Sequence, residues 1–302
     1  MLLARPLARP LARTLSRRAL IVGPAALLVA HRAMAAASAR RIVSVGGAVT
    51  EIVYRLRLDA EIVGVDSTSL YPPEALGTKA NVGYVRALGA EGVLSLAPSL
   101  VLALEGAGPP DALRLIEQAG VPVVRVPDQP SAAGIVARVT VIAQALDVPE
   151  RGAALTREIE EAFAQLAQAK ARVTRPARAL FVLSLQNGRP LVGGQGTTAD
   201  AILALAGATN AASSLNGWKP MSDEGLIAAA PEAIVMMDQG PGGAAQDPFA
   251  FPAFAATPAA GTRRLVVMDS LYLLGFGPRT PAAARDLMAA LHPDQIGKAG
   301  QP

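Results

Sequence analysis

The chain has 302 residues, a formal net charge of +4 and 51% hydrophobic residues, and it contains no cysteine. This composition excludes disulfides, thiolate nucleophiles, zinc knuckles and iron–sulfur clusters. The two histidines, His31 and His292, are too few for a zinc or manganese carrier built on several imidazoles. A Ser-His-Asp triad would depend on His292 near the C-terminus, so the missing residue types argue against catalysis.

Residues 1–39 predict a secretory signal peptide that is not part of the fold. They contain six arginines and no acidic residue, an apolar run at 19–30 and small residues at 33–39. A basic start, a short apolar middle and an Ala-x-Ala ending are typical of export signals, and the apolar run is shorter than the roughly 20 residues that span a bilayer. Arg17 and Arg18 leave both a Sec and a twin-arginine signal open. No cysteine follows the run, which excludes a lipid-anchored precursor.

The positive charge comes mostly from this leader. Of the 28 basic residues in the whole chain, 22 remain once the six leader arginines are removed, against 24 acidic ones. The mature chain of about 260 residues is long enough for one large domain or for two lobes of ordinary size. Its near-neutral balance predicts neither nucleic acid nor anionic lipid as a partner. We expect a periplasmic protein.

After the leader, short apolar runs alternate with segments of helical spacing. Strands are predicted at 41–45, 62–65, 100–104 and 121–126, and helices at 50–58, 90–96 and 111–119. The alternation resumes in the second half, with strands at 179–183, 232–236 and 265–268 and helices at 199–206 and 286–291. This pattern is typical of an α/β fold with a largely parallel sheet.

One long amphipathic helix, at 149–173, is predicted between the two halves. The halves also share a motif, because residues 90–98 and 223–231 both contain an early Glu-Gly, an apolar helix and a final proline before a strand. We therefore predict an α/β protein with two Rossmann-like lobes bridged by one long α-helix. The predicted boundaries are 40–148 for the N-terminal lobe, 149–174 for the interlobe helix and 175–302 for the C-terminal lobe.

A two-lobed α/β protein binds its ligand in the cleft, on loops at the carboxyl ends of strands. Four loops qualify, at 67–73, 81–88, 187–198 and 274–281. The second of these contains Tyr84 and Arg86. Tyrosinate is one of the few side chains that ligate haem iron, and because a free phenol has a pKa near 10, an arginine that donates to its oxygen favours the charged form. Tyr-x-Arg thus suits ferric haem; the alternative is that Tyr84 is a packing residue.

Four segments resemble the haem-binding proteins of bacterial haem ABC importers. The most specific is VGYVRALGAEGVLSLAPSLVLAL at 82–104, and the others are GGAVTEIVYRL at 46–56, GTTADAILALAGATNA at 196–211 and LYLLGFGPRTP at 271–281. The resemblance runs across essentially the whole mature chain. It implies a class III periplasmic binding protein, which has a long interlobe helix and is similar to the carriers of vitamin B12 and siderophores.

The same resemblance implies that Tyr84 is the axial ligand of the haem iron and that Arg86 is hydrogen-bonded to it. Some family members add a histidine from the second lobe as a sixth ligand. This chain has no histidine between Arg40 and Leu291, so it departs from that pattern and should ligate haem through tyrosine alone. Haem is then the transported ligand. The alternatives are a cobalamin or ferric-siderophore carrier of the same class and, from another class, a haem-dependent enzyme.

Three further residues are candidates for the ligand site. Arg279 and Arg189 are candidates to face a haem propionate, with binding of turn carbonyls as the alternative for Arg279. Tyr71, which precedes two prolines in a cleft loop, is a candidate to stack on the porphyrin or to pack.

Glu91 and Glu224 occupy matching positions in the two half-repeats. In similar importer-binding proteins, one glutamate from each lobe meets arginines on the membrane permease, so the resemblance and the repeat indicate the same pair. The alternative is that both are helix-start acids favoured by the macrodipole. The expected partners are haem, an inner-membrane ABC permease–ATPase complex and an outer-membrane haem receptor system upstream.

Overall fold

The computed structural model describes residues 40–238 and 247–296. The predicted signal peptide at 1–39 lies outside the described residues. Within the described ranges, no helix is both long and apolar enough to cross a membrane.

The first lobe is built around one parallel sheet. In chain order its elements are β1 (Ile42–Val45), α1 (Gly47–Arg55), β2 (Ile62–Val65), α2 (Glu74–Thr78), β3 (Ala80–Asn81), β4 (Gly83–Tyr84), β5 (Ala87–Leu88), α3 (Ala90–Ser95), β6 (Leu100–Leu104), α4 (Pro110–Gln118), β7 (Val123–Val126) and α5 (Ala132–Ala145). The strand order is β3-β2-β1-β6-β7, and every neighbouring pair is parallel. β4 and β5 form a separate antiparallel hairpin.

The second lobe follows a long helix and contains a mixed sheet. Its elements, after α6 (Pro149–Lys170), are β8 (Arg178–Gln186), β9 (Arg189–Gly193), α7 (Thr198–Leu205), β10 (Thr209–Asn210), β11 (Trp218–Pro220), α8 (Asp223–Ala229), β12 (Ala233–Met237), α9 (Pro252–Ala255), α10 (Pro258–Thr262), β13 (Leu265–Met268), α11 (Ser270–Leu274), α12 (Thr280–Leu291) and α13 (Pro293–Ile296). The order is β11-β9-β8-β12-β13, with β8, β12 and β13 parallel and β9 antiparallel to β8.

The predicted α/β class, with two lobes and one long helix, is confirmed. Among the elements that the sequence analysis missed are helix α5 and strand β9. Helix α5 has its N-cap at Ser131, whose hydroxyl accepts a hydrogen bond from the Gly134 N–H. Strand β9 lies in the segment predicted as the loop 187–198. The Asn187-Gly188 pair, both residues at positive φ, turns the chain between β8 and β9, and Asn-Gly is the usual sequence signal of such a hairpin.

The long helix α6 joins the lobes through one continuous hydrophobic core. Its buried apolar residues Leu155, Ile159 and Leu166 belong to the same cluster as side chains from both sheets. Gly152 lets α6 approach α5 closely, because a Cβ there would lie 2.4 Å from the Cβ of Ala143. The helix α6 therefore packs into the core of both lobes and does more than link them along the chain.

The two half-repeats adopt the same local geometry. An alanine in the left-handed conformation follows each of helices α3 and α8: Ala97, with φ 44°, comes after the C-cap Leu96, and Ala230, with φ 43°, is itself the C-cap. Proline follows each alanine, and the chain then enters the strand beside the central strand of its sheet, β6 beside β1 and β12 beside β8. A non-glycine residue at positive φ is uncommon, so the paired occurrence indicates a common structural solution in the two lobes.

A fully buried arginine ties the lobes together. Arg138 of α5 donates through Nη1 to the carbonyl oxygens of Gly275 (3.2 Å) and Phe276 (2.7 Å) in the second lobe. In its own lobe it donates to the carbonyl of Pro127 and pairs with Asp128 at 2.8 Å. Burying a charge is costly unless it is paired and hydrogen-bonded, and these bonds meet that requirement.

We predict that Arg138→Met lowers the free energy of unfolding by about 3 kcal/mol, because it leaves carbonyls from both lobes unpaired. Urea denaturation measures this loss. Arg114→Met is the matched control, since Arg114 pairs with Asp111 on the surface and should change stability by less than about 0.5 kcal/mol. Equal losses in the two variants would contradict the structural role given to Arg138.

Candidate functional site

The loop after β2 is fixed by a buried carboxylate. Asp66 accepts hydrogen bonds through Oδ1 from the Gly46 N–H (2.7 Å) and the Ser69 hydroxyl (2.9 Å). Its Oδ2 accepts from the N–H and the hydroxyl of Thr68 at 2.9 and 2.6 Å. This network holds the segment that carries Leu70 and Tyr71. Sequence analysis missed Asp66, although a polar Asp-Ser-Thr-Ser run directly after a buried strand is a signal for such a loop.

The β4–β5 hairpin lies against this loop. The Ser67 N–H of this loop donates to the Gly83 carbonyl at 2.8 Å. On the other side of the hairpin, the Gly108 N–H, in the loop between β6 and α4, donates to the Val85 carbonyl at 2.9 Å. Gly83 has φ 102°, which few other residues adopt. The hairpin therefore presents Tyr84 next to the Asp66 loop.

Three large apolar side chains are exposed together on these two segments. Leu70 is 44% exposed, Tyr71 38% and Tyr84 47%. Groups of exposed apolar side chains on a folded protein mark binding surfaces more often than single ones do. We call these three residues the cleft patch.

Arg86 follows Tyr84 in the turn of the hairpin, and its side chain is also exposed. The expected hydrogen bond between Arg86 and Tyr84 is not formed between these two described residues. That bond stays a prediction, because both side chains reach solvent and are free to reorient.

The second lobe contributes Arg279 to the cleft patch. The guanidinium carbon of Arg279 lies 3.5 Å from the centre of the Tyr71 ring and 5.1 Å from that of Tyr272. The structure thus brings together two predicted site residues from different lobes, Tyr71 and Arg279. Cation–π contact of this kind stabilises by about 1 kcal/mol and orients the ring.

Glu51 of α1 holds Arg279 from the first lobe. Its Oε1 accepts a hydrogen bond from the Arg279 N–H at 3.1 Å, and its Oε2 lies 3.1 Å from Arg279 Nε. The second approach is an ion pair without hydrogen-bond alignment, and Nε and Nη2 of Arg279 are both buried without a hydrogen-bond partner. Burial raises the pKa of the Glu51 carboxyl, and Arg279 opposes that rise.

Two of the four tyrosines are poorly suited to act as phenolates. The Tyr272 hydroxyl donates to Asp286 Oδ2 at 2.8 Å, and burial together with this carboxylate raises the pKa of Tyr272 well above its usual range. Burial also raises the pKa of Tyr54, with further repulsion from Glu74 and Asp59. The remaining tyrosines are the two in the cleft patch.

Arg189 lies in a different part of the second lobe. It is exposed at the start of β9 and lines a groove of about 620 Å³ together with Glu224 and Ser222. Neither tyrosine of the cleft patch lines this groove. The predicted association of Arg189 with the ligand residues therefore has no contact to support it in the described part of the chain.

Glu91 and Glu224 are exposed in the first turns of α3 and α8. The Ser222 hydroxyl caps α8 by accepting from the Gly225 N–H at 3.1 Å. Hydrogen bonds from the Glu224 backbone and from Ser222 lower the pKa of Glu224, so this carboxylate is charged at neutral pH. Both glutamates present negative charge at matching positions of the two lobes.

The geometry agrees with comparisons against known proteins. A family model described as periplasmic binding protein matches residues 42–272. The chain belongs to the periplasmic binding protein family. The apo form of the periplasmic haem-binding protein RhuT from Roseiflexus sp. RS-1 is 40% identical, with a TM-score of 0.80, and the match covers 85% of this chain and 99% of that one.

Two further relatives broaden the comparison. A periplasmic haem-binding protein from Pseudomonas aeruginosa is 35% identical with a TM-score of 0.78, over 85% of this chain and 94% of its own. A vitamin B12-binding protein from Pectobacterium atrosepticum is 27% identical over 203 residues, which cover 65% of this chain and 71% of that protein. The resemblance predicted from the sequence is confirmed, and these relatives are binding proteins and not enzymes.

Proposed function

We propose that this chain captures haem in the cleft between its lobes and delivers it to an inner-membrane ABC permease. The observation that carries the proposal is the cleft patch, in which two tyrosines and Leu70 are exposed beside an arginine of the other lobe. A flat apolar ligand with acidic substituents fits such a surface. The 40% identity to a periplasmic haem-binding protein over nearly all of its length supports the same ligand.

Tyr84 is the proposed axial ligand of ferric haem, bound as phenolate. It is the most exposed of the large apolar side chains in the cleft patch. The chain supplies no cysteine, and its one mature histidine, His292, is buried at the end of α12. Arg86 is two residues away and becomes the donor to the phenolate oxygen when haem is bound, which favours the charged form of Tyr84.

Tyr71 is the proposed second aromatic contact, and Arg279 the proposed partner of a haem propionate. The Arg279 guanidinium lies beside the exposed Tyr71 ring, and arginine is suited to pairing with a carboxylate. Arg189 is a second candidate for a propionate because it is an exposed cation. It ranks below Arg279 because it makes no contact with the cleft patch.

Cobalamin is the alternative ligand, favoured by the 27% identity to a vitamin B12-binding protein. A cobalamin carrier has no use for a phenolate ligand at Tyr84. The absorption spectrum of the purified protein after addition of haemin distinguishes the two ligands.

We expect ferric haem bound to this protein to be five-coordinate and high-spin, with a phenolate charge-transfer band. Tyr84→Phe should abolish the band and weaken haem binding by about 100-fold, because it removes the proposed iron ligand. Tyr71→Phe is the matched control: it makes the same chemical change in the same patch and keeps the ring that stacks on Arg279, so the band should persist. An unchanged spectrum in Tyr84→Phe would refute the assignment.

Glu91 and Glu224 are the proposed docking residues for the permease. Reversing both charges, in Glu91→Arg with Glu224→Arg, should leave the haem spectrum intact and reduce stimulation of the ATPase of the cognate importer in liposomes, because the attraction to basic permease residues becomes repulsion. Glu160→Arg with Glu161→Arg changes the net charge equally on the exposed side of α6 and should have little effect. Normal stimulation by the Glu91/Glu224 variant would exclude these residues from docking.

Export to the periplasm by the leader is part of the proposal, in keeping with the family. Mass spectrometry of protein from a periplasmic extract should find an N-terminus between Ala35 and Arg41, because cleavage follows the small residues at the end of the leader. Recovery of the full-length chain from the cytoplasm alone would contradict this expectation.

A further inference from the structure

The segment 275–279 of the second lobe is clamped onto the first lobe at two places. Arg138 binds the carbonyls of Gly275 and Phe276, and Glu51 Oε1 binds the N–H of Arg279. The fit is close, because a Cβ at Gly277 would lie 3.2 Å from Glu51 Oε2. The backbone that carries Arg279 is therefore fixed, and what remains to be set is the direction of its side chain.

Glu51 sets that direction. It is only 2% exposed, and a buried carboxylate requires a cation or hydrogen-bond donors close by. Arg279 is the cation within ion-pair distance, and its Nε faces Glu51 while its planar guanidinium lies on the Tyr71 ring. Arginine is suited to this double contact because its charged group is flat and delocalised.

Tyr71 in turn receives its support from the other lobe. Its loop is held at Asp66 through Ser69 and Thr68, two and three residues before the tyrosine. The ring itself is 38% exposed, and the contact that covers one of its faces is the Arg279 guanidinium. The contacts thus connect Glu51 of the first lobe to Arg279 of the second lobe, and Arg279 to Tyr71 of the first lobe.

We propose that Glu51 is a positioning residue of the ligand site, which acts through Arg279 to hold the Tyr71 ring ready to face the ligand. The proposal deepens the haem-binding function, on which its ligand side rests. Glu51 itself does not touch haem. Without its charge, Arg279 is free to turn away, and Tyr71 loses the contact that orients it.

The first measurement needs no ligand. Tyrosine nitration by tetranitromethane, followed residue by residue with peptide mass spectrometry, should be several-fold faster at Tyr71 in Glu51→Gln than in the unaltered protein, and equal at Tyr84. Glu158→Gln is the matched control. Like Glu51, Glu158 pairs with an arginine, in its case Arg55 of α1, but this pair lies on the surface. Equal Tyr71 reactivity in the two variants would overturn the proposal, whether or not the chain binds haem.

The second measurement is haem dissociation into an excess of apomyoglobin. Glu51→Gln should release haem several-fold faster while the phenolate band keeps its position, because Tyr84 is untouched. In a Tyr71→Ala background the same substitution should add nothing. An undiminished effect in that background would mean that Glu51 only stabilises the fold, and would overturn the proposal.

If Glu51→Gln does not fold, Arg279→Lys tests whether Arg279 positions the Tyr71 ring. Lysine keeps a cation for Glu51 but lacks the planar group that stacks on the ring, so nitration of Tyr71 should again accelerate. Unchanged nitration in this variant would count against the proposal. If the unaltered protein gives no phenolate spectrum with haemin, the haem function fails, and the nitration results still decide the positioning role.

Discussion

The junction between the lobes depends on two arginines that cross it in opposite directions, Arg138, which is fully buried, and Arg279, which is partly buried. Arg138 reaches from the first lobe to carbonyls of the second, and Arg279 reaches from the second lobe to Glu51 of the first. Arg138 also pairs with Asp128 of its own lobe, whereas the Glu51–Arg279 pair lies wholly across the junction, so separating the lobes would break two hydrogen bonds of Arg138 and the Glu51 contacts of Arg279. Together with the core that continues through α6, these contacts make the relative placement of the lobes a property of the fold.

The proposed ligand surface is built on this junction. Polar networks lie underneath, around Asp66 and Glu51, and the apolar side chains of the cleft patch are displayed above them. The hydrogen bonds of Asp66 fix the loop that carries Leu70 and Tyr71 without covering these two side chains. Such a surface loses little conformational entropy when a flat ligand binds, which favours affinity.

The sequence predicted what repeats along the chain and missed what depends on contact between distant segments. Strand and helix periodicity predicted the sheets and α6, and loop position with residue chemistry selected Tyr84, Tyr71 and Arg279. Nothing local marks Glu51 as a site residue, because it sits in a helical segment and meets Arg279 only 228 residues later in the chain. Loop position alone predicts a cleft location for Arg189, whereas the Asn187-Gly188 turn places it on strand β9.

A junction of this kind also constrains how cargo leaves the cleft. A wide hinge opening would expose the core around α6 and break the Arg138 and Glu51 contacts together, which costs several kcal/mol. The Arg279 guanidinium lies on the Tyr71 ring and is part of the junction, so a force that shifts one lobe slightly against the other acts directly on the proposed ligand surface. Glu91 and Glu224 lie at matching positions on the two lobes, so a partner that engages both applies such a force. We therefore expect release by a small shear at the junction and not by its unfolding.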